Sequence, residues 1–139
     1  MSEDVQATSP SQALMQLILK SSKATGQVLA AIQAAQEGDA AASQDLLTQA
    51  QALNIEAHNL QTGLIQAELQ GQAAPVSLLA VHAQDHFMNS HLLVQVADVL
   101  IGQAQTIKTL EEKLEKLEEK VISRYKEVES YEVRNKKSE

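Results

Sequence analysis

The stretch Pro75-Val76-Ser77-Leu78-Leu79-Ala80-Val81-His82-Ala83-Gln84-Asp85-His86-Phe87-Met88 decides how the rest of the chain is read. Ser77, two residues after a proline, is the expected N-cap of a helix. Beyond it the apolar positions recur at helical spacing through Leu92, Leu93, Val96, Val99 and Leu100. His82, Asp85 and His86 stand at i, i+3 and i+4, which places all three on one helix face near the N-terminal end. This third helix is therefore expected to carry both reactive side chains and an assembly face.

Upstream, two more helices are legible. Ser9-Pro10-Ser11-Gln12 is a helix start with Ser9 as N-cap, Pro10 at the first helical position and Gln12 closing a capping box. Leu14, Leu17, Ile18, Val28, Leu29 and Ile32 form its apolar stripe, and Gly38 is the expected left-handed stop. Gly26 inside this helix costs about 1 kcal/mol relative to alanine, so it is expected to mark a close helix contact. A second helix runs from about Asp39 to Gln70 through Leu46, Leu47, Leu53, Ile55, Leu60, Leu64, Ile65 and Leu69, with Gly71 ending it. Residues 1–8 are expected to be a disordered tail. Short links between long helices make neighbours antiparallel, so residues 9–105 form an all-α, up-down three-helix unit.

Downstream, Ile107, Leu110, Leu114, Leu117, Val121 and Val128 occupy a and d positions of a heptad, with Arg124 and Tyr131 completing the d series. Glu111, Glu112, Lys113, Glu115, Lys116, Glu118, Glu119 and Lys120 fill the solvated positions. No Gly or Pro separates this segment from the third helix beyond Gly102. A single stripe passes through Asp85, Asn89, Leu92, Val96, Val99, Gln103, Ile107 and Leu110, and one extra four-residue step near Gln103 is a stutter. The third helix is therefore expected to continue into a coiled-coil extension, residues 106–139, and to self-associate. Separate folding of that charged segment is the competing expectation.

Composition supports this division. Residues 1–107 hold only Lys20 and Lys23 against nine acidic residues, whereas residues 108–139 hold nine basic and nine acidic residues and neither Gln nor Ala. A joined module, natural or engineered, accounts for such a change. The acidic body argues against nucleic acid, which demands clustered cations. With no Cys, disulfides, thiolate catalysis and Cys-ligated zinc are excluded. The first residues lack a basic and apolar leader and no apolar run reaches membrane-spanning length, so a cytoplasmic location without membrane insertion is expected.

Of the four histidines, His58 and His91 are expected to be structural. His82 and His86 lie with Asp85 near a helix N-terminus, where free N–H groups and the helix dipole favour anions. Neutral imidazole is a competent nucleophile. Spacing alone also permits a transition metal shared by His82 and His86. Asp85 lies on the axial stripe; carboxylates from several copies meeting there would repel one another unless a cation or shared protons intervened. Mg²⁺ or Ca²⁺ suits such an all-oxygen set, with Asn89 one turn along able to assist.

The segment Pro75-Val76-Ser77-Leu78-Leu79 leading into Val81-His82-Ala83-Gln84-Asp85-His86-Phe87-Met88 resembles the signature of the lactose/cellobiose family of enzyme IIA proteins in the bacterial sugar phosphotransferase system. Glu56-Ala57-His58-Asn59-Leu60-Gln61-Thr62 is also similar to that family's second helix, and the resemblance spans about residues 10–105. It implies a homotrimer whose His82 takes a phosphoryl group from the histidine carrier protein and passes it to a cysteine of the cognate enzyme IIB. It further implies that Asp85 from three subunits holds a divalent cation, Mg²⁺ first among candidates, and that His86 stands near the site. Gln61, Thr62 and Gln84 are the neutral donors expected to orient the phosphoryl group. The alternative function is a coiled-coil oligomerisation scaffold that uses the family domain only as a body.

Overall fold

The computed structural model describes residues 9–73 and 75–137. Its regular elements there are three helices: α1 (Pro10–Glu37), α2 (Ala40–Leu69) and α3 (Leu78–Lys136). The expected tail, residues 1–8, lies outside the described residues. Local chemistry sets the helix ends. Ser9 Oγ accepts from the Gln12 backbone N–H at 3.3 Å while Gln12 Oε1 accepts from the Ser9 N–H at 2.9 Å, a complete capping box. Gly38 closes α1 at φ 87°, where a side chain is strained, and Gly71 follows α2 at φ 79°. Asp39 caps α2 through the Ala42 N–H, and Ser77 caps α3 through the Ala80 N–H.

The up-down-up order makes α1 and α3 parallel, with α2 antiparallel to both. Alanine keeps the helices close: Ala24, Ala31, Ala50, Ala57, Ala83 and Ala97 are fully buried. Larger side chains fill two linked clusters. Leu14, Leu17, Ala57, Ala83 and Phe87 pack the end where α3 begins. Val28, Leu47, Val94, Ile101 and their neighbours pack the end marked by Gly38. Two buried serines are satisfied by helix carbonyls, Ser43 Oγ donating to Ala31 O at 2.8 Å and Ser90 Oγ to Phe87 O at 3.0 Å. One expectation fails: a Cβ added to Gly26 would meet nothing within 4 Å. Its lack of a side chain serves no close helix approach within the chain, because Gly26 lies on the exposed face of α1.

The third helix does run without interruption into the charged segment, as a single element of 59 residues. At about 1.5 Å per residue this is roughly 88 Å of helix. The last residues buried by the bundle are Ile101 and Ala104, and every residue from Thr109 to Lys137 is exposed. The outward face within the bundle is apolar too. Val81, Met88, Leu92, Val96 and Val99 are 38–61% exposed among the described residues.

Candidate functional site

The start of α3 sets the geometry of His82, Asp85 and His86. Ala83, Phe87 and Ser90 point into the bundle, which fixes the rotation of the helix. His82 then falls on the exposed flank between α1 and the uncovered apolar face, and His86 lies one turn along, half-buried beside α1. Their rings meet edge to face, with centroids 4.5 Å apart and planes at 81°. His86 Nδ1 is 3.1 Å from the Ser22 hydroxyl of α1, which holds the ring in place whichever group supplies the hydrogen. Among the described residues, neither ring nitrogen of His82 engages in a hydrogen bond. Nothing in the sequence marks Ser22, since it stands 64 positions from His86.

Asp85 is exposed on the uncovered stripe and accepts from Asn89 Nδ2 at 3.2 Å. Among the described residues no three His, Asp or Glu side chains of one chain gather as a metal site. The His82/His86 pair thus has no third His, Asp or Glu beside it among the described residues to complete a transition-metal site.

Gln61 and Gln84 are brought together, but with each other: Gln61 Nε2 donates to Gln84 Oε1 at 2.8 Å across the α2–α3 contact. Two residues along a helix is a rotation of about 200°, so Gln84 lies on the opposite flank of α3 from His82 in the same chain. Thr62 is half-buried on α2 beside this pair in sequence. His91 is held at both nitrogens, by Asn54 Oδ1 and Gln95 Nε2, each at 3.1 Å, and its ring packs on Phe87 at 5.4 Å. His58 is exposed and its ring lies 6.1 Å from that of His91. Lys20, one of the two cations of the body, is engaged in an ion pair with Glu56.

At the same end of the bundle, Leu14, Leu64, Ile65, Pro75, Val76 and Val81 line an apolar groove of about 380 Å³. Gln84 borders it and His82 does not. The His82 imidazole therefore sits on an open ridge, reachable by a macromolecule, instead of inside a cavity shaped for a small substrate.

Comparison with known proteins matches this arrangement. Residues 12–105 match the family model described as "PTS system, Lactose/Cellobiose specific IIA subunit". The cellobiose-specific EIIA component of Lactococcus lactis subsp. lactis (strain IL1403) is 36% identical over 100 residues, covering 72% of this chain and 86% of that protein. The N,N'-diacetylchitobiose-specific EIIA component of Escherichia coli (strain K12) is 36% identical over 97 residues, covering 70% of this chain and 84% of that one. The crystal structure of the PTS cellobiose specific enzyme IIA from Bacillus anthracis aligns with a TM-score of 0.68 at 32% identity, covering 73% of this chain and 94% of that chain. No helix among the described residues is long and apolar enough to cross a membrane. Sequence motif, three-helix architecture and relatives agree: the chain belongs to the lactose/cellobiose-specific IIA family and is a component of the sugar phosphotransferase system.

Proposed function

We propose that the chain is a phosphoryl carrier that works on His82 in the cytoplasm, between the histidine carrier protein and the cognate enzyme IIB, in the uptake of a lactose-, cellobiose- or chitobiose-type disaccharide. The observation that carries this reading is the exposed His82 ring with both nitrogens uncommitted. A neutral imidazole nitrogen attacks the phosphorus of the donor's phosphohistidine; the donor's P–N bond breaks as the new P–N bond forms. In the second transfer a cysteine thiolate of enzyme IIB takes the group, a P–S bond replacing the P–N bond and leaving imidazole behind.

Loose holding suits such a carrier. Residues 24–107 contain no Lys or Arg, and Lys20 is engaged with Glu56, so no Arg clamp from the body stabilises the phosphohistidine. Partners then bring the charges that stabilise the phosphoryl group in flight. His86, its Nδ1 occupied by Ser22, keeps Nε2 for a phosphoryl oxygen. Gln84 lies on the opposite flank of α3 from His82 and is engaged with Gln61, so any orienting role for this pair is toward a neighbouring copy.

The uncovered face of α3 supports assembly as a homotrimer, with Asp85 of each copy on the axis. Three carboxylates there fit a hard divalent cation such as Mg²⁺, which would cancel their repulsion and hold the assembly together, apart from the phosphoryl chemistry. The test is labelling from phosphoenolpyruvate through the two general phosphotransferase proteins. His82→Gln abolishes acid-labile phosphate; label persisting on His58, His86 or His91 refutes the assignment. A chain serving only as a coiled-coil scaffold would take no label in the first place.

A further inference from the structure

We propose that residues 106–136 of α3 form a parallel, in-register coiled coil with the same segment of two further copies of this chain. The number three rests on the trimeric assembly proposed for the body, whereas the parallel self-pairing stands on this segment alone. The family match ends at residue 105, so nothing in the body accounts for the helix beyond it.

Three observations carry the proposal. The first is exposure: Ile107, Leu110, Leu114, Leu117, Val121 and Val128 are 55–67% exposed along one seam. Most helical stability in proteins comes from packing an apolar face against a partner, which this seam lacks within the described residues. The second is continuity. The seam extends the uncovered stripe Asp85, Asn89, Leu92, Val96 and Val99 through Gln103 within one unbroken helix, so whatever covers one part is positioned to cover the other. Copies of the same helix, aligned from the same end, satisfy both.

The third observation fixes orientation. With Ile107 at a, Glu111 and Glu118 are at e, and Lys113 and Lys120 are at g. In a parallel coil each g residue faces the following e residue of the next strand, which sets Lys113 against Glu118 of the neighbouring copy. An antiparallel pairing opposes g with g and e with e; with Leu110 near Val128, Lys120 meets Lys120 and Glu118 meets Glu118 at the centre of the seam, and Lys113 against Glu127 offsets this only toward the ends. Further along, Glu127 at g and Glu132 at e repel in the parallel arrangement, so the segment from Ile107 to Val121 carries the orientation. Arg124 at d adds a charged layer that is tolerated when matched in register and penalised when slipped. The coil lies beyond the Gly38 end of the bundle. From His82 to Lys108 is about 39 Å of helix rise, so tail association leaves the phosphoryl site open.

The chain has no Cys, so single replacements in the full-length protein report directly. Under mild oxidation Leu110→Cys and Leu117→Cys each give disulfide-linked pairs, while Glu119→Cys on the outer surface does not. Leu110→Cys remaining unlinked overturns the parallel register, because antiparallel strands bring Leu110 near Val128 instead of another Leu110. Sedimentation of the unmodified chain gives a mass of three copies, and Leu117→Asp raises the concentration at which it dissociates at least tenfold. Linked Leu110→Cys with a mass of two or four keeps the parallel coil and refutes the trimer. A mass of three with no linkage refutes the coil and leaves the trimeric body standing.

Discussion

Replacing Ser22 by alanine tests how the site is organised. Ser22 is exposed, so its loss should change folding stability by no more than about 0.5 kcal/mol. Its hydroxyl, however, is the one partner of His86 Nδ1 among the described residues, at 3.1 Å, and the His86 ring stands edge-on to His82 at 4.5 Å. A hydrogen bond of this kind has a net worth of about 0.5–1.5 kcal/mol. If all of it goes into holding His86 where it meets the transferring phosphoryl group, Ser22→Ala slows acceptance on His82 by roughly 2- to 12-fold, since about 1.4 kcal/mol is tenfold in rate. The assay is the initial rate of labelling from the phosphorylated histidine carrier protein at saturating donor, with thermal melting as the control. A double-mutant cycle sharpens it. Ser22 acts through His86, so Ser22→Ala in a His86→Ala background has no further effect. Full additivity of the two losses, or an unchanged rate in Ser22→Ala, refutes this account of the site.

Three further outcomes are expected from the packing. Phe87→Ala removes the largest fully buried side chain, at the end of the bundle that carries His82, and is expected to cost about 3–5 kcal/mol, read as a fall in the denaturation midpoint. Gly26→Ala fills open space on an α1 helical position and should raise stability by up to about 1 kcal/mol in the same measurement; a loss would reveal that another copy approaches α1 there. Chelation of divalent cations should lower the melting temperature of the assembled protein. Asp85→Asn should remove that sensitivity and melt higher than the unmodified chain in chelator, because the carboxylate repulsion is gone. An unmodified chain indifferent to chelator would defeat the axial-cation proposal.

The stability of the site depends on where each interaction is encoded. Within-helix devices were fully legible. The Ser9–Gln12 box, the Gly38 stop and the Ser77 cap each join residues no more than five apart, and such contacts form wherever the backbone turns. The Asp85 to Leu110 stripe was legible for the same reason, since 3.6-residue periodicity is a property of the helix itself. Gly26 misled because an interior glycine signals either a close approach or merely a weak helix position, and periodicity does not distinguish them.

The set of helices, the stripe running from Asp85 into the heptads and the motif that singles out His82 are all written in the order of residues along the chain. Tertiary packing decided which neighbours those residues acquire. Burial of Ala83, Phe87 and Ser90 turns α3 so that His86 meets Ser22 of α1 while Gln84 meets Gln61 of α2 on the far flank. A side chain's face is a local matter of backbone geometry. The element it faces depends on how three helices rotate against one another to bury their apolar surface, and that is a global balance no short segment contains.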